Sequence, residues 1–100
     1  MTRLPRLTEE EIAQALAGAP GWAVVDGKLE KKYRFRDFRE AMAFVNRVAE
    51  AAEAEQHHPD IAIHYNQVVI QWVTWGSRGI TRRDFEMAAR CDGIYSESGR

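Results

Sequence analysis

Apolar residues recur at helical spacing in the middle of the chain, where they mark one face of a long helix. The pattern begins beside Asp37 and Glu40, which have the spacing of a capping box at the start of a helix. Pro59 disfavours helical geometry at His58, so the helix must stop close to that point. The residues predicted to share its apolar face are Phe38, Ala41, Met42, Val45, Val48, Ala49 and Ala52.

A shorter helix is predicted near the amino terminus. Thr8 and Glu11 have capping-box spacing, in which each side chain accepts a hydrogen bond from the main-chain amide of the other residue. Gly18 and Pro20 follow, and both residue types are typical just beyond the end of a helix. The first helix is therefore predicted to end at Ala17.

A last helix is predicted after Thr81 and Asp84, which again have capping-box spacing. Gly93 is predicted to end this helix, and the polar tail through Arg100 is predicted to be mobile. Its apolar residues are Phe85, Ala88, Ala89 and Cys91.

Two segments have the residue pattern of β-hairpins. Asp26-Gly27 supplies the positive φ angles of a tight turn, and Asn66-Gln67 is predicted to form the second turn between segments rich in β-branched residues. A loop over 76–79 follows the second hairpin. The predicted strands are 22–25, 28–35, 61–65 and 68–75.

The predicted order of elements is α-β-β-α-β-β-α. Two hairpins joined by a helix favour one four-stranded antiparallel sheet, and the apolar stripes of the helices require a common face to cover. The sequence therefore predicts an α+β fold, with the helices on one face of the sheet.

The composition is that of one soluble domain over residues 1–100. Apolar residues make up 45% of the chain, and 14 basic residues nearly balance 15 acidic ones, so there is no charge excess of the kind that binds nucleic acid. The single cysteine, Cys91, excludes an internal disulfide. Neither a membrane-spanning apolar run nor a signal peptide is found, and a cytoplasmic location is expected.

Candidate acid–base residues lie where the central helix is predicted to end. His57 is in or just beyond the last turn, where the negative end of the helix dipole favours a charged imidazole. Glu53 precedes it by four residues and can stabilise that charge if the helix persists. This pair suits general acid–base catalysis, although spacing alone favours a simpler role for His57 as a helix cap.

These residues begin a spaced series that ends at position 84. Its members are Glu53, His57, His58, Pro59, Tyr65, Trp75 and Asp84. Three residues separate the first two members, and five, nine and eight residues separate the last four. The series resembles the signature of the pterin-4a-carbinolamine dehydratases, a family with the same order of elements. Its better-known enzymes carry a third histidine where this chain has Trp75.

The resemblance implies a 4a-hydroxytetrahydrobiopterin dehydratase. Such an enzyme removes water from the pterin 4a-carbinolamine to give quinonoid dihydropterin during tetrahydrobiopterin recycling. It implies no metal or redox cofactor, a small pterin substrate, and a homodimer or homotetramer. The implied catalytic residues are Glu53, His57 and His58, with His57 transferring the proton and His58 helping to bind substrate. The implied substrate-binding residues are Pro59, Trp75 and Asp84.

Residue chemistry leaves alternatives open for several members of the series. For Asp84, a capping role with Thr81 is favoured over direct catalysis. Trp75 can stack on a flat bicyclic ring or donate one hydrogen bond, or it can pack within the sheet. Pro59 is expected mainly to end the helix, and Tyr65 to pack near a turn.

Two further hypotheses concern other kinds of site. His57, His58 and His64 together suit zinc, but adjacent histidines are an unusual ligand pair, and His58 is equally well explained as an exposed polar residue. An interaction protein on the dehydratase scaffold, either a transcription cofactor or an enzyme assembly factor, is the alternative to the enzyme. The tryptophan at position 75 favours that alternative, because indole cannot take up a proton.

Overall fold

Residues 4–98 are described by a computed structural model. Its elements are α1 (Glu9–Ala17), β1 (Ala23–Val25), β2 (Lys28–Arg34), α2 (Phe38–Glu55), β3 (Asp60–His64), β4 (Gln67–Trp72), a 3₁₀ turn (Trp75–Ser77) and α3 (Arg82–Ser98). The two hairpins form one antiparallel sheet of order β1-β2-β4-β3. The predicted fold class and element order are confirmed. Among residues 4–98, none of the helices combines the length and the apolar character that a membrane crossing requires.

The predicted start of each of the first two helices is confirmed. At α1, the Thr8 hydroxyl accepts a hydrogen bond from the Glu11 amide at 3.1 Å, and the Glu11 carboxylate accepts one from the Thr8 amide at 2.8 Å. At α2, the Asp37 carboxylate accepts from the Glu40 amide at 2.9 Å, whereas the Glu40 carboxylate accepts from the amide of Arg36. These bonds satisfy amides that have no partner within the helix.

The first hairpin forms as predicted. Asp26 and Gly27 both have positive φ angles, of 51° and 79°, and they connect Val25 directly to Lys28 in the pairing register. A turn with two positive φ angles matches the twist of the strands that it joins.

The second hairpin turns one residue earlier than predicted. Its turn is Tyr65-Asn66, Tyr65 has a φ of 55°, and Gln67 already pairs with His64 in the sheet. The Asn66 carbonyl accepts from the Phe35 amide at 2.8 Å, and the Asn66 side chain donates to the Phe35 carbonyl at 3.0 Å. This contact with a distant segment holds Asn66 inside the turn, and local sequence does not reveal it.

The predicted extension of the fourth strand to position 75 is wrong. The strand β4 ends at Trp72, and Thr74 exchanges two main-chain hydrogen bonds with Gly79, of 3.0 and 3.3 Å. These bonds close a short loop that takes Trp75 out of the sheet.

The apolar face predicted for α2 is only partly correct. Phe38 is 50% exposed and Ala49 is exposed, whereas Phe44 is completely buried. The Phe44 ring packs against Tyr33 and Phe35, with centroid separations of 4.7 and 5.1 Å. Apolar residues surround more of α2 than the sheet can cover. Contacts with residues such as Tyr33 and Phe35 therefore decide which side of the helix is buried. The buried residues are Ala41, Phe44, Val48, Ala51 and Ala52.

The predicted end of α3 at Gly93 is also wrong, since the helix continues to Ser98. Ile94 is buried, and the Tyr95 ring packs against Tyr33 while its hydroxyl donates to the Arg34 carbonyl at 2.8 Å. A glycine inside a helix costs about 1 kcal/mol, and this packing offsets that cost. Of the tail predicted to be mobile, 94–98 is helical and 99–100 lies outside the described residues.

The two faces of the sheet differ in polarity. Leu29 pairs with Trp72 and Tyr33 with Val68, and all four side chains are buried under α2 and α3. Because alternate residues of a strand point to opposite faces, the intervening residues form the uncovered face. That face is mostly polar and carries Glu30, Lys32, Arg34, Asp60, His64, Gln67 and Gln71, together with Ala62 and Val69.

Candidate active site

One end of the sheet brings most of the spaced series together. There β2 and β3 begin and β4 ends, since Asp60 pairs with Gln71 and Leu29 pairs with Trp72. The carboxyl end of α2 leads into β3, and the loop after β4 leads into α3. The residues between these elements therefore meet at the same end of the molecule.

The turn that ends α2 directs the His57 ring inward. Gln56 adopts the left-handed conformation, with φ 52° and ψ 42°, and the His57 amide donates to the Ala52 carbonyl at 3.1 Å, as in a Schellman-type helix end. The His57 ring stacks on the buried Trp72 ring at 5.4 Å, with 20° between the planes. Its side chain is only 11% exposed.

His57 pairs with a buried carboxylate from the start of α3. Its Nε2 lies 2.6 Å from Oδ1 of Asp84, whose side chain is completely buried. The other oxygen, Oδ2, accepts from the Thr81 amide at 2.8 Å and from the Thr74 hydroxyl at 2.9 Å. Asp84 therefore has the capping role predicted for it and also contacts His57. An ionised carboxylate only accepts hydrogen bonds, so we assign the Nε2 proton to His57 and leave Nδ1 for a reacting group.

The predicted pairing of Glu53 with His57 is wrong. Glu53 Oε1 lies 2.8 Å from Nε2 of His58, and both side chains are mostly exposed. This hydrogen bond from His58 lowers the pKa of Glu53 below its ordinary value. The helical relation between positions 53 and 57 is lost at Gln56, because the left-handed turn sends one imidazole into the protein and the next one back along the helix.

Trp75 is exposed beside the same end of the sheet. Its side chain is 68% exposed, and Lys28 Nζ lies 5.4 Å from the centre of a Trp75 ring. Lys28 also pairs with Asp60 at 3.0 Å, which links the tryptophan to the start of β3, just after His58 and Pro59. Trp75 thus does not pack within the sheet as Trp72 does, and its ring is available to a flat ligand. It lines a cavity of about 310 Å³ together with Asp26, Gly27, Lys28, Val73, Arg78 and Gly79.

Two other residues considered in the sequence analysis, Tyr65 and His64, lie away from this site. Tyr65 is 66% exposed in the second hairpin turn, at the opposite end of β3 from Asp60. His64 is exposed on the uncovered face of the sheet. Between residues 4 and 98, no three histidine, cysteine, aspartate or glutamate side chains are arranged to hold a metal ion.

Two contacts at the site were not predicted from the sequence. The Thr74 hydroxyl bonds Asp84, and the Arg83 guanidinium donates to the Glu55 carbonyl at the end of α2. Neither residue belongs to a motif with a recognisable spacing. A threonine ten positions before an aspartate carries no local signal, because the loop closure between Thr74 and Gly79 creates the proximity.

Comparison with known proteins identifies the family. The sequence profile of the pterin 4 alpha carbinolamine dehydratases matches residues 5–94. The chain belongs to this family. A relative in Koribacter versatilis (strain Ellin345), named only provisionally as a pterin-4-alpha-carbinolamine dehydratase, is 49% identical over 89 residues, covering 89% of this chain and 95% of the relative. The resemblance inferred from the spaced series is therefore confirmed.

Two solved structures resemble this pterin carbinolamine dehydratase family member. A transcriptional coactivator/pterin dehydratase from Brucella melitensis is 36% identical and has a TM-score of 0.85, covering 89% of this chain and 97% of that one. A pterin dehydratase-like protein described as a RuBisCO assembly factor of the alpha-carboxysome has a TM-score of 0.62 and 22% identity, covering 73% and 84%. The second likeness concerns the fold alone.

Proposed function

We propose that this protein is a 4a-hydroxytetrahydrobiopterin dehydratase of tetrahydrobiopterin recycling. The observation that carries the proposal is the His57–Asp84 pair, in which a buried carboxylate orients a slightly exposed imidazole. An oriented histidine is the group that general acid–base catalysis requires near neutral pH. Membership of the family supports the same reaction.

The reaction removes a hydroxyl group from C4a of the pterin and a proton from N5, and these leave as one water molecule. In the proposed mechanism, protonated His57 gives the Nδ1 proton to the departing hydroxyl as the C4a–O bond breaks. The N5 proton then returns to Nδ1, the N5–C4a double bond forms, and His57 regains its initial state. Asp84 holds Nε2 throughout, so the same ring nitrogen both gives and receives the proton.

The exposed members of the spaced series at this end of the sheet form the proposed substrate-binding surface. The Trp75 indole offers a ring face on which a bicyclic pterin can stack. His58 and Glu53 supply a hydrogen-bonded polar pair at the end of α2, and Pro59 sets the direction of the chain between them and β3. These roles place binding on exposed groups and proton transfer on the group that is nearly buried.

A dehydration assay on freshly generated carbinolamine tests the proposal. We expect His57→Ala to lower turnover by about two to four orders of magnitude, the usual contribution of a positioned acid–base group. His64→Ala is the matched control, since His64 lies on the uncovered face of the sheet and should keep full activity. Full activity in a folded His57→Ala protein would contradict the assignment of His57.

An interaction protein, acting as a transcription cofactor or enzyme assembly factor with weak or no catalysis, is the second candidate. It is favoured by an apolar stripe on α2, on which Phe38 is half exposed, Met42 and Val45 are partly exposed and Ala49 is exposed. The wording "transcriptional coactivator" for the relative from Brucella melitensis points in the same direction. Absence of carbinolamine dehydration by the wild-type protein would favour this candidate over the enzyme.

We also propose a homodimer or homotetramer. The strands β1 and β3 are the edges of the sheet, and the unpaired main-chain groups of an edge strand can pair with another chain. The apolar stripe on α2 offers a second surface for self-association. Light scattering at micromolar concentration should show a mass of at least two chains, and Phe38→Glu should reduce it if the stripe is used. A wild-type monomer would exclude the proposal.

A further inference from the structure

Two threonine hydroxyls lie behind the His57–Asp84 pair and extend it into the loop that carries Trp75. Thr74 Oγ1 lies 2.9 Å from Oδ2 of Asp84 and 2.8 Å from Oγ1 of Thr81. Thr81 is completely buried, and Thr74 is partly buried. The chain of contacts therefore runs from a surface loop through buried polar groups to the imidazole.

Taking Asp84 as a carboxylate fixes the direction of every hydrogen bond in this chain. A carboxylate has no proton to give, so Thr74 must donate to Oδ2. A hydroxyl has one proton, so Thr74 can only accept from Thr81, and Thr81 donates to it. The Thr81 oxygen in turn accepts from the Arg83 amide at 3.2 Å. The hydrogen bonds thus run in one direction, from the Arg83 amide through Thr81 and Thr74 to Asp84. On the other side of the carboxylate, His57 must present a protonated Nε2 to Oδ1.

We propose that Thr74, supported by Thr81, is a positioning residue that keeps His57 in its Nε2–H tautomer by holding the Asp84 carboxylate against the imidazole. The two donors on Oδ2, from Thr74 and from the Thr81 amide, hold the carboxylate plane and leave Oδ1 to the imidazole. The proton on Nε2 is thereby retained, and Nδ1 becomes the nitrogen that exchanges protons. The expected effect on turnover rests on the proposed dehydratase function. The assignment of the His57 tautomer does not depend on that function.

The main chain of Thr74 has a separate task, and the two tasks can be distinguished. Its amide and carbonyl bond Gly79, and its carbonyl also accepts from the Ser77 amide at 3.0 Å. These bonds hold the loop that carries Trp75 and involve no side-chain atom. Loss of the hydroxyl should therefore disturb proton transfer at His57 while leaving the proposed binding surface in place.

The kinetic test compares T74V, T74S and wild type in the carbinolamine assay. We expect T74V to lower kcat about tenfold with KM unchanged within about twofold, the effect of losing one hydrogen bond to a charged group. T74S keeps the hydroxyl and should retain kcat within about threefold. T8V is the matched control, since it also removes a hydrogen-bonded threonine hydroxyl, at the start of α1, and should lower stability without changing kcat.

A spectroscopic test reads the tautomer without any substrate. Nitrogen-15 NMR of neutral His57 should show the Nε2–H form in wild type and T74S, and a raised Nδ1–H population in T74V. The proposal is overturned if wild type has the Nδ1–H form, if T74V matches wild type, or if T74S is as impaired as T74V. If wild type proves inactive, the dehydratase proposal fails while the spectra still decide this one. If T74V does not fold, T74A takes its place in both tests.

Discussion

Nε2 of His57 lies 2.6 Å from Oδ1 of Asp84, although 27 positions separate the two residues in the chain. The contact joins the end of α2 to the first turn of α3. One carboxylate thus caps a helix through Oδ2 and orients the candidate catalytic base through Oδ1. The same residue therefore caps α3 and contacts the candidate catalytic histidine.

Asp84→Asn should separate these two roles. The asparagine oxygen can still accept from the Thr81 amide, but its NH₂ group would face His57 and make Nε2 an acceptor. The neutral imidazole would then carry its proton on Nδ1, the wrong nitrogen for the proposed mechanism. We expect kcat to fall by roughly two to four orders of magnitude, as in other histidine–carboxylate pairs. Unchanged turnover in a folded variant would contradict the assigned tautomer.

Trp75→His should keep or increase activity. Eliminating water needs one proton delivered and one removed, and a second histidine can share this work. The substitution should be tolerated because Trp75 is 68% exposed, so little core packing is lost. The measurements are kcat/KM and the melting temperature. Trp75→Ala is the control, since it has neither the indole ring nor an imidazole. A stable Trp75→His protein with less than about one-tenth of wild-type activity would show that the indole itself is required.

Asp92→Ala should destabilise the fold, although the side chains that bind Asp92 lie outside the proposed site. Asp92 accepts hydrogen bonds from the Tyr33 hydroxyl at 2.5 Å, from Lys31 at 2.9 Å and from the Trp22 indole at 3.1 Å. Its removal leaves these partly buried donors without an acceptor, which should lower the free energy of unfolding by about 2–4 kcal/mol.

Urea denaturation measures the effect of Asp92→Ala. Glu97→Ala is the matched control on the same helix, because Glu97 forms an exposed ion pair with Arg47 and should contribute less than about 1 kcal/mol. Equal losses in the two variants would show that the Asp92 network adds no special stability.

Stability should fall at alkaline pH because of Cys91. Burial raises the pKa of the Cys91 thiol to about 12, whereas an unfolded thiol ionises near about 8.5. Between these values the unfolded chain loses a proton that the native protein retains, so the free energy of unfolding decreases by up to about 1.4 kcal/mol per pH unit. The contribution is complete below the unfolded value and is lost as pH rises toward the native one.

Comparison with Cys91→Ala isolates this effect. Tyr33, whose pKa is also raised by burial and by its bond to Asp92, is present in both proteins, so only the part of its shift that comes from Cys91 differs between them. Wild type should show the steeper decline in denaturation midpoints between about pH 9 and 12. Parallel slopes would mean that the thiol is accessible in the native state, as would rapid alkylation of the native protein at pH 8.

Several features of the fold could be predicted because they depend on residues close together in the chain. The caps at Thr8 and Asp37, the Asp26-Gly27 turn and the helix stop before Pro59 are all local effects, and all are present. The predictions that failed required knowledge of distant partners. Gly93 remains helical because Ile94 and Tyr95 pack against the core, which no local rule contains.

The same division applies to the candidate site. The polar residues at the end of α2 and the start of α3 could be predicted, since spacing and capping chemistry are local properties. The contact between His57 and Asp84 depends on how α2 and α3 pack, whereas the turn at Gln56 brings His58 rather than His57 to Glu53. The left-handed turn at Gln56 ends the helical periodicity, and a buried carboxylate needs donors wherever the fold places it. Three-dimensional proximity to Thr74, Thr81 and His57 supplies those donors to Asp84.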